Sequence, residues 1–440
     1  MSIVESTELP NGVRVLTERV PTARGVGIAT LVDASPQDES VESCGLAHLC
    51  EHAFFMGTHL RTETEIASLI DSAGGQLGGF TARDYTCLYA NVSNDYVTYA
   101  LDLLGDMLTN NDFTAERLER EKVVIGHEID AHEDSADAWL DSELKRTAWQ
   151  DDPIGRSLLG TRDSVATLTP DDVHGFVHKN YTPDRIIVAA VGDLEHAAFV
   201  DQTHDALWQS QGEDLRTGRP QAEFNGGLLV QPRPMRQSHA TILLPAPGYT
   251  DSDRYAIHVL VNLLGGGMSS RLYRNLRETR GLVYSVSSQL HAYGRGSVIA
   301  IELSTSADGV MPSLAAVFEQ LTELAWNDQS VDEEELWKAK MQTRGQAYLA
   351  SDSIQTRVSR LATQCFYFGQ CLNDGSLLDG IDAVAREDVT RVAARVIGDG
   401  LASTAIGVTG GLGQDAESLR SEIAGLQGCF LSQAGFPAGR

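Results

Sequence analysis

Residues 45–58 read GLAHLCEHAFFMGT, and this stretch is the starting point for both fold and chemistry. Its apolar residues recur every three or four positions, which predicts a helix. On a helix, His48 and His52 lie on one face, where two imidazole nitrogens can bind a single Zn²⁺. Glu51 lies beside them, free to accept a proton from a metal-activated water. The alternative interpretation is a pair of histidines satisfied on an ordinary helix face.

A catalytic zinc site usually has three protein ligands, so a third ligand is expected elsewhere. A long helix is predicted from about residue 114 to 146, and Glu121, Ile125 and Glu128 share one of its faces. Ile125 points toward a core, and a carboxylate on such a face is costly unless it is paired or bound to a metal. Glu128 is therefore the candidate third ligand, and Glu121 a candidate acceptor for a ligand imidazole N–H.

Two alternatives to this third ligand stay open. His127 and His132 are rival ligands on the same helix. In addition, residues 112–143 contain eleven acidic and three basic residues, so the helix can also be interpreted as an acidic, solvated face.

The order of predicted elements favours an α+β fold. Residues 7–20 read as a β-hairpin, and a Thr62-x-x-Glu65 capping box opens a helix. Hairpins and long helices on one sheet favour α+β over a doubly wound parallel sheet. The polar, Gly- and Pro-containing stretch 209–227 predicts a linker between domains at 1–208 and 228–440.

Composition limits the partners. The chain has 440 residues, 42% of them hydrophobic, and a net charge of −27, which repels phosphate backbones and anionic lipids. No nucleic-acid partner is expected. No apolar run approaches the ~18 residues of a membrane span, and no export signal is visible. Six cysteines without a C-x-x-C pair predict free thiols, and a cytoplasmic location is expected.

With these residues in view, the sequence resembles the pitrilysin and mitochondrial processing peptidase family, whose inverted zinc motif is H-x-x-E-H. That family has its third ligand about 75 residues after the second His, in an E-x6-E helix. Here 75 residues separate His52 from Glu128, and Glu121 opens the E-x6-E. Further segments resemble family blocks: LPNGVRV (9–15), NYTPDRIIVAAVGDL (180–194) and LGGGMSSRLYRNLRETRGLVYSV (264–286).

The resemblance implies a zinc endopeptidase that cleaves peptides or short unfolded segments. It assigns His48, His52 and Glu128 as ligands of one Zn²⁺ per chain, Glu51 as general base and Glu121 as the supporting acid. It also implies two similar α/β-roll domains, each a mainly antiparallel sheet covered by helices. The first domain would be catalytic and the second noncatalytic and substrate-binding, because only the first has the motif.

The resemblance extends to substrate binding. In this family an Arg and a Tyr seven residues apart reach the peptide at the zinc site, which assigns Arg277 and Tyr284 to substrate. Family chains of this length resemble half of longer single-chain relatives, which implies a homodimer or a heterodimer with a related subunit. In such pairs the Arg and Tyr of one chain can face the zinc of the other.

Two points count against a simple transfer of function. The family also contains noncatalytic subunits, so a noncatalytic or partner-dependent subunit of a heterodimer is the alternative. The strand that pairs with extended substrate often reads N-A-x-T in the family, whereas this chain has Gly78-Gly79-Phe80-Thr81. The missing Asn side chain removes a polar contact, while backbone pairing with a peptide needs only main-chain groups.

Overall fold

The computed structural model describes residues 3–208, 210, 212, 220–327, 329–372, 374–398 and 400–433. Much of the predicted linker, residues 209, 211 and 213–219, therefore lies outside the described residues. The strands are β1 (Ile3–Glu8), β2 (Arg14–Arg19), β3 (Gly25–Val32), β4 (Gln76–Thr81), β5 (Thr86–Ser93), β6 (Ile186–Gly192), β7 (Gly227–Pro232), β8 (Ser238–Ala246), β9 (Val283–His291), β10 (Ser297–Thr305) and β11 (Ala405–Gly410).

Helices connect and cover these strands. They are α1 (Leu46–Phe54), α2 (Glu63–Ser72), α3 (Val97–Thr109), α4 (Ala115–Asp134), α5 (Ala136–Trp149), α6 (Arg162–Thr167), α7 (Pro170–Asn180), α8 (His196–Leu207), α9 (Arg254–Gly265), α10 (Val310–Trp326), α11 (Glu333–Ser351), α12 (Ile354–Phe368), α13 (Asp374–Ala383), α14 (Arg386–Ala393) and α15 (Ala416–Gln433). Among the described residues, no helix combines the length and apolar character needed to cross a bilayer.

The chain forms two compact units. Within the described residues, the first unit comprises residues 3–131, 156–208, 210, 212 and 348–372. The second unit comprises the remainder, including residues 132–155. The predicted boundaries divide the sequence into two halves, whereas each compact unit also takes in one segment from the other half.

The first unit contains a six-stranded sheet in the order β1-β2-β6-β3-β5-β4. β2 and β6 are parallel, and the other neighbours are antiparallel. β4 lies at the edge, so one side of its backbone is free of sheet partners. The second unit contains a five-stranded sheet in the order β7-β11-β8-β10-β9, with β7 and β11 parallel.

The second sheet repeats the first. In chain order, β7 to β11 occupy the positions of β2 to β6, with the same pairings and the same single parallel pair. Two mainly antiparallel sheets covered by helices confirm the predicted α+β class. The shared strand order agrees with the two similar domains that the family resemblance implies.

Local sequence signals predicted the first hairpin and the start of α2 but missed a break in a long helix. The predicted hairpin is present as β1 and β2, and Thr62 caps α2 in a capping box with Glu65. The single helix predicted from 114 to 146 is wrong, because Ser135 has extended backbone between α4 and α5. Its hydroxyl accepts the N–H of Ala138 at 3.4 Å and so caps a new helix instead of continuing the old one.

The first unit includes a segment from the second half of the sequence, and this segment contains α12. Helix α12 packs on the first sheet. Val358, Leu361 and Ala362 contact a patch of strand residues that includes Leu31 and Ile187. These strand residues alternate with those that face α1 and α3, so α12 covers the opposite side of the sheet. The second unit has a matching arrangement, in which Leu144, Ala148 and Trp149 of α5 pack on the second sheet.

A buried ion pair fixes α12 in the first unit. Glu18 of β2 is 2% exposed, and the Arg357 guanidinium donates two hydrogen bonds to its carboxylate, one of them from Nε at 3.3 Å. Arg357→Met should lower the free energy of unfolding by about 3–5 kcal/mol, because it leaves a buried carboxylate unpaired. The measurement is denaturant unfolding.

The double variant Glu18→Leu/Arg357→Met should recover most of that loss, since an apolar pair of similar volume replaces the ions. Equal destabilisation by the single and double variants would contradict this account of how α12 is held.

Candidate metal centre

The motif helix α1 places its histidines on one buried face. Gly45 precedes the helix with φ +95°, a conformation that glycine adopts without strain. His48 is 9% exposed, and its ring centroid lies 4.6 Å from that of His52 in an edge-to-face arrangement. Burial, followed by the neighbouring His52, lowers the pKa of His48 to about 4, so its ring is neutral at neutral pH.

Glu128 of α4 meets both imidazoles. Its Oε2 lies 3.6 Å from His48 Nε2 and 3.5 Å from His52 Nε2. Two ligands at 2.0–2.1 Å from a tetrahedral zinc ion are separated by about 3.3 Å, so these contacts match such a site. In the described part of the chain, one group of three potential ligands converges within 4.8 Å, and it consists of these three residues.

The Nδ1 atoms of the two rings have different surroundings. His52 Nδ1 lies 3.1 Å from Glu121 Oε2, so the His52 ring stands between two carboxylates. A carboxylate at that position fixes the ring orientation and tautomer of a metal-binding histidine. His48 Nδ1 is buried, with no hydrogen-bond partner among the described residues. The donor set of two imidazoles and a carboxylate fits Zn²⁺.

The rival ligands lie elsewhere on α4. His127 is exposed and lines a cavity of about 350 Å³ against α6. Neither His127 nor His132 belongs to the converging group of described ligands. The acidic, solvated face predicted as an alternative is therefore only part of α4, because Glu121 and Glu128 turn toward α1.

Glu51 also lies on α1 and is 9% exposed. Thr81 Oγ1 at the end of β4 donates a hydrogen bond to Glu51 Oε2 at 2.6 Å. Burial raises the pKa of Glu51, while the Thr81 hydroxyl and the nearby His52 oppose that rise. No role for Thr81 is predicted from the sequence. There it is only a hydroxyl residue at the end of the strand that differs from the family pattern.

The two glycines of β4 have close neighbours. A Cβ at Gly78 would lie 2.6 Å from the Tyr89 hydroxyl oxygen, and one at Gly79 would lie 3.0 Å from Glu51 Cγ. Gly78 faces Tyr89 across the β4–β5 pair. The Tyr89 ring therefore occupies the space that a side chain at residue 78 would need.

Arg277 and Tyr284 lie in the second unit and contact each other. Arg277 belongs to a π-helical segment, Tyr273–Thr279, and Tyr284 is the second residue of β9. The Arg277 guanidinium donates to the Tyr284 carbonyl oxygen and lies 5.3 Å from the Tyr273 ring centroid. Both side chains are accessible, with Tyr284 54% exposed.

Comparisons with known proteins agree with the motif. Residues 14–162 match the family model described as insulinase (peptidase family M16), and residues 167–343 match the model described as peptidase M16 inactive domain. YmxG of Bacillus subtilis, named an uncharacterized zinc protease, is 30% identical over 402 residues, covering 91% of this chain and 98% of the relative. An uncharacterized zinc protease of Mycobacterium leprae is 32% identical over 400 residues, 89% of this chain and 88% of the relative.

Solved structures share the fold. A peptidase M16 inactive domain from Pseudomonas fluorescens matches with a TM-score of 0.84 at 20% identity, covering 93% of this chain and 98% of that chain. A protease from Helicobacter pylori matches with a TM-score of 0.84 at 19% identity, covering 93% of this chain and 100% of that chain. The chain therefore belongs to peptidase family M16, the family that the H-x-x-E-H resemblance indicated.

Proposed function

We propose that the protein is a zinc-dependent endopeptidase that hydrolyses peptides or short unfolded segments. The observation that carries this proposal is the convergence of His48, His52 and Glu128 beside a separate buried carboxylate, Glu51. When bound, Zn²⁺ supplies a Lewis acid and lowers the pKa of water. His48, His52 and Glu128 would hold it, and Glu121 would keep the His52 ring in place.

Glu51 is the general base in this proposal. It accepts a proton from the attacking water and later returns it to the leaving amine. Thr81 holds one carboxylate oxygen of Glu51 by its 2.6 Å hydrogen bond, which leaves the other oxygen for the water. The partial burial of Glu51 excludes bulk water from the proton transfer.

The peptide would bind along β4. This strand lies at the sheet edge beside Glu51, and an extended peptide can add to such an edge through main-chain hydrogen bonds. A cavity of about 620 Å³ lies next to β4, with Phe55, Ile66, Ile70, Leu77 and Tyr89 in its wall. The wall also includes Glu63, Asp71 and Gln76, and its apolar part suits a large side chain of the substrate.

The proposal is tested by elemental analysis together with a fluorogenic peptide-library assay on the same sample. We expect about one zinc per chain and cleavage that a chelator abolishes. Glu51→Gln should retain the zinc and lower kcat at least about a hundredfold, because the base is lost.

Absence of zinc would contradict the metal site. Zinc with no cleavage of any library peptide would contradict a self-sufficient peptidase and favour the noncatalytic or partner-dependent alternative. Full activity of Glu51→Gln would contradict the assignment of the base.

The Thr81 hydroxyl gives a finer test. Thr81→Val keeps the shape of the side chain but removes its donor, so kcat should fall about tenfold or more, as expected for a lost hydrogen bond to a charged group. Thr81→Ser keeps the hydroxyl and is the matched control. The measurement is steady-state kinetics at constant zinc content. Equal kcat values for Thr81→Val and Thr81→Ser would contradict this role.

We further propose a dimer in which Arg277 and Tyr284 of one chain act at the zinc site of the other. Their exposure leaves them available to a second molecule, and a guanidinium or phenol can donate to the oxyanion of the tetrahedral intermediate. Glu51→Gln and Arg277→Ala chains, each inactive alone, should regain activity when unfolded and refolded together.

In the hybrid dimer, one of the two sites has both an intact base and an intact arginine. Random pairing should therefore restore about one quarter of wild-type activity. If both residues acted within one chain, each site would keep one defect and the mixture would stay inactive.

A further inference from the structure

Glu39 is a buried acid beside the motif helix that the proposed mechanism does not use. Glu39 follows β3 and a short 3-10 turn, Pro36–Asp38, and lies nine residues before His48. It is 7% exposed, and burial raises the pKa of its carboxyl group to about 8. A buried carboxyl group is costly unless its oxygens have hydrogen-bond partners.

The partners of Glu39 are the first amides of the motif helix. The Gly45 N–H donates to Glu39 Oε2 at 3.0 Å, and the Ala47 N–H donates to Oε1 at 2.7 Å. Gly45 is the N-cap residue of α1 and has no side chain with which to cap it. Glu39 therefore supplies, from outside the helix, the acceptors that an N-cap side chain normally provides.

The same short loop also holds the turn after Thr81. Gln37 Nε2 donates to the Arg83 carbonyl oxygen and to Asp84 Oδ1, both at 2.7 Å. Arg156 Nη1 donates to the Glu39 carbonyl oxygen at 2.7 Å. One loop thus contacts the start of α1 and the β4–β5 turn, which are the two elements that bring Glu51 and Thr81 together.

We infer that Glu39 is a positioning residue of the metal centre. By binding the Gly45 and Ala47 amides, it fixes the rotation and axial position of the first turn of α1, from which His48 projects. Ligand positions must be accurate to about 0.2 Å for tight metal binding, and an uncapped first turn frays. This inference rests on the proposed function, because it takes His48 to be a zinc ligand.

Glu39→Gln is the test variant. It keeps the size of the side chain, but the new amide NH₂ cannot accept the N–H that it faces. We expect zinc affinity, measured by competition with a chromophoric chelator, to fall about tenfold. Substitutions of residues that orient a metal ligand typically have effects of this size. In metal-free protein, amide hydrogen exchange in the segment 45–48 should become faster.

Ser353→Ala is the matched control. Ser353 caps α12 by accepting the Thr356 N–H at 3.2 Å, and α12 packs on the other face of the first sheet. This variant should lower the melting temperature without changing zinc affinity or exchange in the segment 45–48. Rescue is tested with Glu39→Asp, which keeps a carboxyl group but, one methylene shorter, reaches only one amide and should give an intermediate affinity.

Unchanged zinc affinity in Glu39→Gln, or equal losses in Glu39→Gln and Ser353→Ala, would overturn the inference. If Glu39→Gln does not fold, the same comparison is made with Glu39→Asp, and an affinity equal to wild type has the same meaning. A wild-type protein that binds no zinc would instead overturn the proposed function, while the exchange measurement on metal-free protein would still decide whether Glu39 holds α1.

Discussion

The imidazole of His52 lies between two carboxylates, with Glu121 at Nδ1 and Glu128 at Nε2, and the architecture of the candidate site depends on this contact. Both acids come from one face of α4, two turns apart, so a single helix supplies a contact to each ring nitrogen. The contact requires α1 and α4 to lie side by side at one fixed register. A rotation of either helix by one residue, about 100°, would remove a carboxylate from the ring.

The helix spacing explains how much of this site the sequence could predict. His48 with His52, and Glu121 with Glu128, are pairs whose members share a helix face, so residue spacing alone indicated that each pair would act together. That the two faces meet is a tertiary fact: the helix face made Glu128 a candidate beside its rivals His127 and His132, and the resemblance to a known family selected it. Thr81 and Glu39 had no comparable signal, because each acts through one or two hydrogen bonds to a different element of the fold, and no residue periodicity marks such a contact.

The fold shows the same division between local and distant information. Capping residues predicted the start of α2, and turn residues predicted the first hairpin. Ser135, a residue that favours caps, was overlooked within a long helical pattern. The placement of α5 on the second sheet and of α12 on the first could not be read from either segment, since an apolar helix face does not specify which sheet it covers. The pair Glu18–Arg357 joins residues 339 positions apart in sequence, and no local pattern indicates such a partner.

The two units show why chemistry has to be argued from side chains and not from topology. Strands β2 to β6 and β7 to β11 have the same order and the same single parallel pair, yet the converging histidines and glutamate lie in the first unit. In that unit the space directly over the two glycines of the edge strand is occupied by neighbouring side chains. Gly79 borders Glu51, and Gly78 borders Tyr89, so a larger residue at position 79 would press on Glu51 and one at position 78 on the Tyr89 ring. The glycines of β4 are therefore part of the candidate site: they bring an edge strand close to the buried carboxylate of Glu51, and the Tyr89 ring occupies the space that a side chain at residue 78 would need.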